Sequence, residues 1–142
     1  MKDAIQKLDT ALVQLLQTKS EQEITISDLC EQAQMDRNNF YNCYNDLSDL
    51  ETAFCQRTEA QALQVCHTAT DFSLVFHYIK EYTDVFTAYF KLPYSGKHSD
   101  YKMLFFCNGA YSVAKLWFQE GCQESPEQMG ELLKREYQKI VG

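Results

Sequence analysis

Proline and glycine are scarce in this sequence, at two and five of 142 residues. Many short strands joined by tight turns need more of both, so their shortage favours long helices. Nor is there a stretch of roughly 18 uninterrupted apolar residues, which excludes a membrane-spanning helix. The opening MKDAIQKLDTALVQLL intersperses acids with apolar residues at helical spacing. A secretory leader would instead set a charged end before an unbroken apolar run. A cytoplasmic protein with no membrane partner is expected. Cysteine is present, but Cys30, Cys43, Cys55, Cys66, Cys107 and Cys122 include no C-x-x-C pair. Zinc sites and disulfide frameworks both want clustered spacings. These cysteines read as small apolar fillers in a reducing compartment rather than as redox sensors.

His67, His77 and His98 fall in no metal-binding spacing. No Ser-His-Asp, Cys-His or glycine-rich phosphate-loop arrangement occurs either, so an enzyme, a cofactor and a metal centre are not expected. Positive charge is also short: 13 Lys and Arg stand against 20 Asp and Glu, a net −7. An acidic chain opposes nonspecific nucleic-acid binding, because affinity for phosphate comes mainly from cations that displace counterions.

What the chain does have is apolar material, 45% of residues with 13% aromatic, enough for one domain or two small lobes. The apolar spacing predicts seven helices and no sheet. Ile5, Leu8, Leu12, Leu15 and Leu16 form the stripe of the first. Thr25 followed by Asp28 reads as the capped start of a short second helix, with Leu29, Cys30 and Ala33 inward. Gln34-Met35 makes a tight turn, and Asp36 caps a third helix running to about residue 44. Asp46 or Ser48 caps a fourth, apolar along Leu47, Leu50, Ala53, Phe54, Ala62 and Leu63. A single fifth helix is expected over residues 72–90, then a break at Pro93 and Gly96. The sixth, residues 99–120, is apolar on two faces and must be covered on both. Gly121 ends it in a left-handed conformation. Ser125-Pro126-Glu127-Gln128 opens the last helix, whose stripe is Met129, Leu132, Leu133, Tyr137 and Ile140.

Two short helices joined by a turn of two or three residues make a helix-turn-helix, in which the first helix braces the second against a major groove. Leu29, Ala33, Phe40 and Tyr44 would face the core with Leu12 and Leu16. The same periods turn Arg37, Asn38, Tyr41 and Asn42 outward. Those types suit DNA: Arg pairs with guanine, Asn with adenine, and Tyr donates to phosphate.

The order Ile24-Thr25-Ile26-x-Asp28-Leu29-Cys30-x-x-Ala33-x-Met35-x-Arg37-x-x-Phe40-Tyr41-x-x-Tyr44 resembles the tetracycline-repressor (TetR) family of transcriptional regulators. The resemblance covers roughly residues 5–55, and the region from Asn108 to Glu127 is more loosely similar to the carboxy-terminal part of short members. It implies an all-α fold, with an N-terminal three-helix DNA-binding unit (1–46) followed by a four-helix dimerisation and effector region (47–142). The implied partners are double-stranded operator DNA, a second copy of the chain and a small apolar or aromatic effector. Thr25 would hold a phosphate beside Arg37, Asn38, Tyr41 and Asn42. The sequence departs from the family where Gln34 replaces the usual turn glycine and where Asn45 and Leu47 replace lysines. Between Ile24 and Leu47 the one cation, Arg37, meets four acids: Asp28, Glu31, Asp36 and Asp46. A second reading therefore stays open, in which the helix-turn-helix has lost DNA and serves as a protein-interaction module.

Tyr78, Tyr82, Phe86, Phe106 and Tyr111 admit two readings, plain core or the wall of an effector cavity. The doubly apolar sixth helix beside the last one predicts a homodimer through an intermolecular four-helix bundle, with Trp117 and Leu133 at the interface.

Overall fold

The computed structural model describes residues 2–66, 71–94, 96, 98 and 100–141. The described residues are all-α, with no strand. Among the described residues eight helices follow in order: α1 (Lys2–Leu16), α2 (Ile26–Ala33), α3 (Arg37–Cys43), α4 (Leu47–Gln64), α5 (Ser73–Glu81), α6 (Thr83–Lys91), α7 (Tyr101–Gln119) and α8 (Pro126–Val141), with a 3₁₀ turn at Glu21–Glu23. No helix among the described residues is long and apolar enough to cross a membrane. The expected connection at residues 67–70 and the expected helix start at Ser99 lie outside the described residues.

Local signals place most of the ends. Thr25 Oγ1 accepts the Asp28 N–H at 3.1 Å while Asp28 Oδ2 accepts the Thr25 N–H at 3.1 Å, a reciprocal capping box. Asp36 Oδ1 accepts the Asn39 N–H at 2.9 Å. Asp46, not Ser48, does the same for α4, accepting the Asp49 N–H at 2.9 Å. Ser125 and Gln128 close the box at α8, at 3.1 and 2.8 Å, with Pro126 in the first helical position. Gln34 sits in the left-handed region at φ 57° and ψ 49°, which lets the Met35 N–H reach back to Cys30 O at 2.9 Å. Gly121, at φ 90°, closes α7 in the same way.

The chain divides into two compact units, Met1–Thr58 with Asp84–Pro93, and Glu59–Thr83 with Tyr94–Gly142. This division differs from a cut at residue 46. The expected single helix over residues 72–90 is two helices, so five rather than four follow α3. Tyr82 breaks the run at φ −104° and ψ 57°, and the Thr83 hydroxyl takes the Lys80 carbonyl at 3.0 Å. Such a side-chain bond back to a carbonyl competes with the helical backbone pattern. Each half then serves a different core: Phe76 and Ile79 are buried in the second unit, Phe86, Ala88, Tyr89 and Phe90 in the first.

In the first unit Leu8, Leu12, Leu16, Leu29, Phe40 and Leu50 are essentially fully buried. Helix α6 is tied to the end of α1, because Gln17 Nε2 donates to Asp84 O at 2.9 Å and Lys91 Nζ donates to the carbonyls of Leu16 and Lys19. The second unit packs α5 on α8 and α7 on both. Gly130 of α8 lies so close to Ser73 that a Cβ would meet its backbone nitrogen at 2.4 Å, so only glycine fits.

Candidate nucleic-acid interface

Helix α3 has seven residues, of which only Phe40 is buried. Its ring, fully covered, pins the helix to the core made by α1 and α2. A helix of two turns has little stability of its own, so this anchor and the Asp36 cap hold it. The opposite side carries Arg37, Asn38, Tyr41 and Asn42, all exposed, with Tyr41 at 49%. The structure brings these four together on one outward surface. Asn39 joins them there. Sequence reasoning passed over it because Asn39 sits between the two faces of the helical wheel, and with one buried residue nearly the whole circumference is open.

Thr25 is exposed at the start of α2, but its side-chain oxygen and backbone N–H are both engaged with Asp28. The Thr25 N–H holds the Asp28 carboxyl below its ordinary pKa, and Lys19 Nζ lies 3.7 Å away. The acidity around the turn thus has a structural cause. Asp28, Asp36 and Asp46 each accept backbone N–H groups at the start of a helix, where the helix dipole favours negative charge. Glu31 is exposed on α2 and makes no such cap.

One further acid belongs to this unit. The Glu51 carboxyl on α4 is pushed up to about 7, first by burial, then by the hydrogen bond and charge of Glu21, with Asp46 adding repulsion. Two carboxyl groups sharing one proton cannot both ionise cheaply.

The aromatic candidates each meet at least one further ring. Phe86 is buried in the first unit against Tyr89 and Phe90, at 5.6 and 5.9 Å between ring centroids. Tyr78 and Tyr82 pair with each other at 4.6 Å. Phe106 packs on Phe72 and Tyr137, at 5.8 and 5.3 Å. Tyr111 stacks on Tyr94 at 4.3 Å. Phe86 belongs to the first unit, and Tyr78, Tyr82, Phe106 and Tyr111 belong to the second.

The two residues expected at a dimer interface are core residues of their own chain. Trp117 is 3% exposed, meets Phe76 edge-on at 5.1 Å and donates its indole N–H to Glu124 O at 2.8 Å. Leu133 is 7% exposed. Burial of Trp117 and Leu133 within the unit leaves a different set outward on α7: Tyr101, Phe105 and Leu116, exposed by 87, 81 and 58%. Along the same face run Asn108, Gly109 and Ser112, and with Tyr101 and Phe105 they border a shallow groove of about 640 Å³. The two apolar faces of α7 were legible in sequence; which one the chain covers was not.

No family model and no curated sequence matches this chain. Among solved structures, the dihydroxyacetone kinase operon activator DhaS aligns over 97% of this chain and 94% of its own, at a TM-score of 0.50 and 15% identity. The two share a fold. That fold is all-helical, and at this identity the likeness extends to architecture alone.

Proposed function

We propose that the chain is a TetR-like transcriptional regulator that binds operator DNA as a homodimer. The observation that carries this reading is the outward surface of α3, a short anchored helix offering Arg37, Asn38, Tyr41 and Asn42 together. A bidentate Arg, two amides and a phenol match the donor and acceptor pattern of base edges and phosphates in a major groove. The second copy is placed on the α7 face of Phe105 and Leu116, since exposed large apolar side chains on one helix face mark an association surface. Two recognition helices about 34–36 Å apart would then meet successive turns of a near-palindromic site.

The excess of acids makes a quantitative demand. Few phosphates are neutralised, so affinity should depend weakly on salt and nonspecific binding should be very weak. The test is retardation of fragments from the gene's own promoter region, with salt varied. Arg37→Ala should cost about 1–3 kcal/mol of binding if Arg37 reads a guanine. Absence of any shift at low salt, with Arg37→Ala behaving as wild type, would leave the helix-turn-helix as a surface for a protein partner.

A further inference from the structure

Arg57 of α4 bridges two other elements of the first unit. Its Nε donates to Asp9 Oδ2 at 2.9 Å and its Nη2 to Asp9 Oδ1 at 2.6 Å. This fork-on-carboxylate pairing fixes the plane of the guanidinium. The same Nη2 donates to the Tyr44 hydroxyl at 3.0 Å. Asp9 belongs to α1, and Tyr44 is the residue that caps the C-terminal end of α3.

The contacts continue outward. The Tyr44 ring meets Phe40 at 6.0 Å, and Phe40 meets Tyr41 edge-on at 5.4 Å. A packed sequence of side chains therefore runs from Asp9 to the exposed face of α3. The Arg57 and Asp9 side chains are 36 and 24% exposed, a setting in which an ion pair contributes little to stability. What three hydrogen bonds of fixed direction supply there is position.

We infer that Asp9, Arg57 and Tyr44 are positioning residues that set the placement of the recognition helix, an inference that rests on the DNA-reading role proposed above. Helix α3 is held at its start by the Asp36 cap and at its end by the Tyr44 hydroxyl. With both ends fixed, Arg37, Asn38, Tyr41 and Asn42 keep one geometry relative to α1 and α4. Base reading needs side chains placed within about 0.5 Å. Attraction to phosphate needs only nearby charge. Removing the hydroxyl should therefore weaken specific recognition and leave nonspecific binding as it was.

The variant that isolates this role is Tyr44→Phe, which keeps the ring against Phe40 and deletes only the hydroxyl. Binding is measured to a duplex that the wild-type protein selects from a randomised pool, and to an unrelated duplex of equal length. The expected result is a loss of about five- to tenfold on the selected duplex, the range of one hydrogen bond. Affinity for the unrelated duplex and the salt slope stay unchanged, and the thermal midpoint moves by less than about 2 °C. Arg57→Lys should behave alike, because an ammonium keeps the charge but cannot hold both partners. In the free protein, amide exchange from Phe40 to Tyr44 should quicken in Tyr44→Phe while α1 and α4 keep their protection. Undiminished affinity of Tyr44→Phe for the selected duplex overturns the inference, as does an equal loss on both duplexes with a lowered midpoint. A wild-type protein that selects no duplex defeats the DNA reading instead. The exchange measurement then decides the positioning role alone: quickening confined to α3 supports it, and unchanged exchange rejects it.

Discussion

The two compact units finish their cores differently. In the first, Leu8, Leu12, Leu16, Leu29, Phe40 and Leu50 are covered almost completely, and the outward side of α3 is polar apart from the Tyr41 ring. In the second, Trp117, Phe76 and Leu133 make a core, yet α7 leaves Phe105 81% and Tyr101 87% exposed. The first unit buries its apolar stripes within one chain; the second has more apolar surface than its own helices cover. The surfaces proposed for recognition and for association thus belong to different units, and substitutions can address each separately.

The largest effects should come from the cores. Phe40→Ala in the first unit and Trp117→Ala in the second should each cost about 3–5 kcal/mol in denaturant unfolding. The Trp117 change also strips the Glu124 carbonyl of its indole donor. A loss below about 1 kcal/mol at either position would contradict its burial.

Phe105→Asp sharpens the contrast within a single helix. It should leave the stability of one chain within about 0.5 kcal/mol, since the ring is exposed, while converting dimers to monomers in sedimentation at micromolar concentration. A wild-type protein that sediments as a monomer would remove the reason for the exposed α7 face.

The Glu51 carboxyl gives the first unit a pH dependence. Its folded value of about 7 lies above the ordinary 4.5, first because burial penalises the charge and then because of Glu21. Stabilisation from its protonated form is therefore complete below pH 4.5 and lost as pH rises through about 7. Glu51→Gln should flatten that decline and exceed wild type by about 1 kcal/mol at pH 8, a figure reduced for the partial exposure of the site. Unfolding at pH 5 and 8 measures it; identical slopes in the two proteins would dismiss Glu51 as the cause.

Smallest is the turn. Gln34 holds a positive φ that costs an L side chain energy and glycine none. Gln34→Gly should raise stability by about 0.5–1 kcal/mol, whereas a β-branched Val there should lower it. Thermal melts of both variants check the sign.

The sequence alone determined the starts of α2, α3 and α8, because a cap is made by residues three positions apart. Thr25 with Asp28, Asp36 with Asn39 and Ser125 with Gln128 are complete within one turn, whatever surrounds them. The helix-turn-helix and the outward set on α3 followed from the same short range. Only the tertiary structure decided the rest. Tyr82 breaks a pattern that is periodic from residue 72 to 90, because its two halves are buried in different cores. Leu63 continues the apolar side of α4 in sequence yet is 59% exposed. Trp117 was expected at a dimer interface, and its burial depended on Phe76 of α5, 41 residues away along the chain (117 − 76). Arg57 finds Asp9 across 48 residues, a pairing that no local spacing encodes, because a side chain's partner at that distance is chosen by how whole helices pack.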